Sequence, residues 1–152
     1  MSEESIIKEA GTVAATVTGT ALADTVYSTT SDVTAGYVAT AAPFLLASGS
    51  WHDLADAVID VTFASAPAAN KFIYLYRRDM NIKGANDAPI PSASNRNILL
   101  GAFELSTDVS QTINLQGIDL SRDCTFFISN AAGVTLNSWG LDIIPHGYSI
   151  NP

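Results

Sequence analysis

Few residues of this 152-residue chain have the chemistry for catalysis, and their spacing does not assemble them. The raw materials are two histidines, His52 and His146, one cysteine, Cys124, and the dispersed carboxylates Asp53, Asp56 and Asp60. Ser50-Trp51-His52-Asp53 sets hydroxyl, imidazole and carboxylate side by side, but neighbouring side chains of a strand or turn diverge, so no triad forms. A polar turn entering a strand, with Trp51 packed beneath it, accounts for these residues. His146, between Pro145 and Gly147, reads as a turn residue. Cys124 alternates with Phe126 and Ile128 and reads as a small buried hydrophobe in a core strand. A single cysteine also excludes an intrachain disulfide and any zinc site built on several thiolates. HExxH, GxSxG, Walker and dinucleotide-glycine patterns are all missing from the sequence. The expectation is no enzymatic activity, no catalytic residues and no cofactor.

The best metal candidate runs from Asp79 through Asn81, Lys83, Gly84, Asn86 and Asp87, with oxygen ligands spaced as in a calcium loop. Lys83 occupies a position that should coordinate, and Ile90 stands where a bidentate glutamate belongs. The expectation is therefore no metal, with these residues stabilising turns through side-chain to backbone hydrogen bonds. Arg77, Arg78, Lys83 and Arg96 gather around the same loop, four of the seven basic residues. They form either a docking patch for an acidic partner surface or a solvated strand end balanced by Asp79 and Asp87.

A net charge of −8 opposes binding to phosphate backbones or anionic bilayers, so neither nucleic acid nor membrane is an expected partner. MSEESIIKEA, acidic and without an apolar segment, is not expected to act as a secretory signal, and no apolar run in the sequence reaches membrane-spanning length. Only 14% of residues are charged, and Ala, Ser and Thr abound, which suits a surface made for subunit contact.

Composition changes near residue 43. Eleven of thirteen aromatics lie from Phe44 onward, and residues 11–50 carry only Asp24 and Asp32 as charges. Residues 2–9 could form one or two helical turns with Ser2 as N-cap. The Thr/Val/Ala-rich stretch that follows is β-prone, with Val13, Ala15 and Val17 on one face, yet too small-sided for its own core. Residues 1–50 are therefore read as an N-terminal arm or edge strands, able to pair with another sheet or subunit. Residues 51–152 read as a single β-sandwich or jelly-roll-like body, all-β. Strands are expected at Ala57–Phe63, Phe72–Tyr76, Ile98–Leu105, Val109–Leu115, Cys124–Ser129 and Thr135–Ile144, with a long polar loop from Asp79 to Asn97. Ile59, Val61, Phe63, Phe72, Tyr74, Phe103, Ile113, Phe126 and Ile128 are the expected core.

The aromatic-aliphatic strand Phe72–Tyr76 leads into an Asn/Asp/Gly loop with prolines, and a Gly-aromatic strand follows (Gly101, Phe103). Then come Leu115-x-Gly117-Ile118-x-Leu120, the turn Asn130-x-x-Gly133, and a late strand closing on Pro145 and Tyr148. Over roughly residues 55–148 this resembles small virion structural proteins of tailed bacteriophages, of the capsid decoration or cement type. The resemblance implies a β-sandwich on the capsid exterior, assembled in the host cytoplasm, bound to the major capsid protein and to itself as a homotrimer. Arg77 and Arg78, and Trp139-Gly140, depart from that pattern. The second reading is a carbohydrate-binding or receptor-binding module of a phage tail or fibre, presenting aromatics such as Trp51, Tyr76 or Trp139 to sugars.

Overall fold

Small and branched apolar residues alternate with polar ones from Ala55 to Phe63, and this two-residue period builds the long strand β3 (Trp51–Phe63) at the centre of one sheet. The computed structural model describes residues 5–10, 15–29, 51–79, 86–95, 98–120 and 124–151. The remaining elements are β1 (Ser5–Ala10), β2 (Ala15–Gly19), β4 (Phe72–Asp79), β5 (Ile98–Glu104), β6 (Ser110–Asp119), β7 (Cys124–Ala131) and β8 (Leu136–Asn151). There is no helix among the described residues. The helical turns expected over residues 2–9 are corrected: Ser5–Ala10 pairs with β8 as a strand. An isolated helix of that length is marginal in water, whereas β8 offers a complete ladder.

All named pairings are antiparallel. Sheet A has the order β1-β8-β3-β6, with β2 also on β8, so β1 and β2 follow each other along one edge. Sheet B has the order β5-β4-β7. Residues 22–28 then cross from sheet A to sheet B: Leu22 bridges Leu136, and Tyr27 bridges Ser129 of β7. Thr25 N–H donates to the Asn130 carbonyl at 2.8 Å and Ser28 N–H to the Ile128 carbonyl at 2.8 Å. With 22–28 beside β7, the sheets read (β1/β2)-β8-β3-β6 and (22–28)-β7-β4-β5, the two interlocked Greek keys of a jelly roll.

The described front residues thus lie in the body itself. Leu22, 6% exposed, belongs to the core, and Asn130 holds the segment from within. The Asn130 amide donates to the carbonyls of Leu22 (2.9 Å) and Val134 (2.8 Å), while its oxygen accepts from Ala132 N–H. Asp24 accepts from Gly133 N–H at the β7–β8 turn, where Gly133 adopts φ +78°. Residues 30–50 lie outside the described residues.

The core between the sheets contains Ile59, Val61 and Phe63 from β3, Ile73 and Leu75 from β4, Phe103, Phe126, Ile128, Leu141 and Ile143. Ile113 packs against it partly buried. Phe72 and Tyr74 are corrections to the expected core: they are half-exposed on the outer face of sheet B, while Ile73 and Leu75 point inward. The FIYLY run is apolar on both faces, so its period does not select one.

Trp139 fills the core edge beside its ladder partner Gly19, where an added Cβ would come within 2.5 Å of the indole. Gly19→Ala is expected to cost about 2 kcal/mol, because a buried rigid ring cannot step aside. Gly101→Ala meets only the end of the Leu115 side chain at 2.5 Å and should cost less. Chemical denaturation of both variants checks the order.

Candidate functional site

The basic cluster is the first candidate, and the structure engages its described members inside the chain. Arg77 is the only cation on the inner face of β4 and is 8% exposed. Its guanidinium meets Asp79 at 2.8 Å and Asp119 at 3.6 Å, and it donates to the Asp119 carbonyl at 3.0 Å. The Asp79 contact is Coulombic, without the alignment of a hydrogen bond. Arg78 donates to the Ala88 carbonyl at 2.6 Å and faces Asp87 at 3.5 Å. Ala88 N–H in turn donates to the Asp79 carbonyl, which folds residues 86–88 back onto the end of β4. The two arginines therefore act as staples between β4, β6 and the loop. Lys83 and Arg96 lie outside the described residues, as does the middle of the calcium-like loop from residue 80 to 85.

The arginines are balanced by Asp79 and Asp87, as one of the two sequence readings has it, but the strand end is buried where that reading has it solvated. Arg77→Ala is expected to lower stability by about 2 kcal/mol, since it strips a desolvated cation from Asp79. The figure is discounted because Asp79 is partly exposed and Asp119 is mostly exposed to solvent. Arg77→Met keeps the packing of the stem and should recover part of the loss in thermal melts.

The other chemical candidates are placed as follows. Ser50 lies outside the described residues, and Trp51, His52 and Asp53 open β3. His146 is in strand β8, opposite Leu54 on one side and Ala10 on the other, which corrects its reading as a turn residue. Neighbouring strands on both sides outweigh the local Pro-His-Gly turn preference. Cys124 is fully buried in the core at the start of β7, as its alternation implies. Among the described residues no group of three or more His, Cys, Asp or Glu could hold a metal. Trp139 and Tyr76, offered to sugars in the second sequence reading, are each 4% exposed and are corrected to buried residues.

The remaining candidate among the described residues is the polar outer face of sheet A. Because Ala55, Ala57, Ile59 and Val61 face the core, their alternates Asp56, Val58, Asp60 and Thr62 face out, alongside Ser138, Gly140 and Asp142 of β8 and Thr112 and Asn114 of β6. Asp60 accepts from the Thr112 hydroxyl, and Thr62 shares a hydrogen bond with Ser110 at 3.3 Å. Asp56 accepts from Gly117 N–H at 3.1 Å, across the bulge that gives Gly117 its φ of +69°. No lysine or arginine occurs in residues 54–63, 110–119 or 136–145. Three strands thus present carboxylates and hydroxyls with no cation among them. In the sequence Asp56 and Asp60 are dispersed carboxylates; the period of β3 puts them on one face, and the pairing that adds Asp142 is non-local.

Comparison with protein-family models, curated proteins and solved structures finds no match to this chain.

Proposed function

We propose that this chain is a non-enzymatic structural protein of a tailed-bacteriophage virion, a decoration protein on the capsid exterior bound to the major capsid protein lattice. The observation that carries the reading is the outer face of sheet A, where Asp56, Asp60 and Asp142 stand among small hydroxyl residues without a cation from β3, β6 or the described side chains of β8. Such a face is complementary to a cationic patch on a protein shell, and the −8 net charge steers the encounter from a distance. The jelly roll supports it as an architecture used by viral capsid and lectin domains, and the resemblance of residues 55–148 narrows it to the first of these. The docking surface moves accordingly from the arginine cluster, whose described cations are paired internally, to the acidic sheet.

Self-association as a trimer stays part of the proposal. Its argument from unpaired front strands no longer includes β1, β2 or residues 22–28, which have partners in their own chain. Light scattering of the free protein tests it directly.

Docking is tested with heads assembled without this chain. The double variant D60K/D142K reverses the exposed Asp60 and the partly exposed Asp142 and should bind at least about tenfold more weakly, about 1.4 kcal/mol, with wild-type binding falling as salt rises. Undiminished, salt-independent binding by a folded double variant would remove sheet A as the docking face.

A further inference from the structure

Strand β6 ends sheet A on the side away from β1 and β2, and among the described residues no strand pairs with its outer edge. The ladder shows which groups that edge leaves open. Phe63 N–H donates to the Val109 carbonyl at 2.8 Å, so Phe63 and Val109 form a hydrogen-bonded pair of the antiparallel ladder. Such pairs alternate with non-hydrogen-bonded ones, which are then Thr62 with Ser110, Asp60 with Thr112 and Val58 with Asn114. The side chains agree. The Thr112 hydroxyl donates to Asp60, and the Thr62 and Ser110 hydroxyls meet at 3.3 Å, as the closer approach of non-hydrogen-bonded pairs allows. Ser110, Thr112 and Asn114 therefore direct their N–H and C=O groups away from β3. All three residues are exposed, and these backbone groups have no partner among the described residues.

Open strand edges are ordinarily blunted by lysine, proline or a bulge, and this one is not. Residues 110–115 contain no charge and no proline, and the bulge of the strand comes only after Leu115. The other described edges differ: β1 carries Lys8 and Glu9, residues 22–28 include the left-handed Thr25, and β5 is irregular opposite Leu75 and Tyr76. A row of alternating donors and acceptors fits another extended strand. Three observations point to a second copy of β6. Laid antiparallel about Thr112, the row is complementary to itself: Thr112 meets the partner's Thr112, and Ser110 meets the partner's Asn114, closing about six main-chain hydrogen bonds. In that register Val109, 43% exposed, falls opposite the partner's half-buried Leu115, so apolar surface is covered at both ends of the contact. No charge faces a like charge either. Asp108 falls opposite the partner's Gln116, and the two Asp60 carboxylates stand three strand spacings apart, about 14 Å against a screening length of about 8 Å.

We propose that β6 is a self-association edge, through which two copies pair antiparallel over residues 110–115 and join their A sheets into one. The side-chain period then puts Asp56, Asp60 and Asp142 of both copies on a common face. The contact is two-fold and does not rest on the virion reading. Alone it gives a dimer, and together with a three-fold contact elsewhere on the body it gives a hexamer. Six residues a side bury less than a standard interface, so the pairing depends on concentration.

The test is sedimentation velocity of the full chain, without heads, from about 1 µM to about 1 mM, with amide hydrogen exchange at both ends of that range. The expected result is an even-numbered species, a dimer or a hexamer. The Ser110, Thr112 and Asn114 amides should exchange at least about tenfold more slowly at the high concentration. Two variants separate the contact from the fold. Asn114→Pro removes an outward N–H and sets a ring in the contact, a change that an edge strand tolerates within its own chain. Thr112→Lys puts a lysine beside Asp60 of the same chain but opposite the partner's identical lysine across the axis. Each variant should sediment with half as many chains as the wild type, and thermal melts report that it is folded. A monomer or trimer at every concentration, or unprotected amides at 110, 112 and 114, would overturn the proposal. So would an even-numbered species that persists in both folded variants.

Discussion

A chain lacking residues 1–29 is expected to show no cooperative unfolding transition. The deletion strips the β1/β2 edge from β8 and removes the 22–28 segment from β7, so each sheet loses one flank. It takes Leu22 out of the core and leaves the Asn130 amide, fully buried, without its Leu22 acceptor. Losing a buried leucine costs about 2–5 kcal/mol, and each buried polar group left unpaired about 1–3 kcal/mol more. Together with the lost ladders these approach the whole stability of a small domain, about 5–15 kcal/mol. This reverses the expectation drawn from composition, that removing residues 1–42 spares the body because the large apolar residues all lie later. Circular dichroism melts decide it: a truncated chain melting within a few degrees of the intact protein would mean that the front strands are dispensable.

Phe126→Ala is expected to cost about 3–5 kcal/mol. Phe126 is 1% exposed on the inner face of β7, directly opposite Arg77 of β4, at the end of the sandwich where the buried guanidinium meets Asp79 and Asp119. The cavity would open beside a desolvated cation, which adds to the lost transfer energy. Equilibrium denaturation measures it. A change below about 1 kcal/mol would contradict the burial and the packing drawn around it.

The β class and most strand positions were legible because alternation in β3, β7 and the first half of β8 is strong and local. Ile59, Val61, Phe63, Phe126 and Ile128 follow from that period. What the period could not choose was a face for Phe72–Tyr76, where both sides are apolar. One side meets the opposite sheet, while the other is partly covered by Tyr27 and the loop carrying Ala93. Nor could local pattern pair residues 22–28 with β7. That contact joins positions about a hundred residues apart and is fixed by Asn130, an ordinary turn former in sequence whose amide becomes a buried anchor only in the fold. The arginine cluster shows the same limit from the other side. Spacing gathered the charges, but only the register of β4, β6 and the loop reveals that Arg77 and Arg78 are already neutralised.

The central claim is that the acidic face of sheet A seats this protein on a virion shell. Cryo-microscopy of chain-free heads incubated with the purified protein tests it most directly. The account predicts added density on the capsid exterior into which the sandwich fits with Asp56, Asp60 and Asp142 turned toward the shell and sheet B turned away. Heads that stay bare at saturating protein, or density in which sheet B meets the shell and sheet A faces solvent, would contradict it.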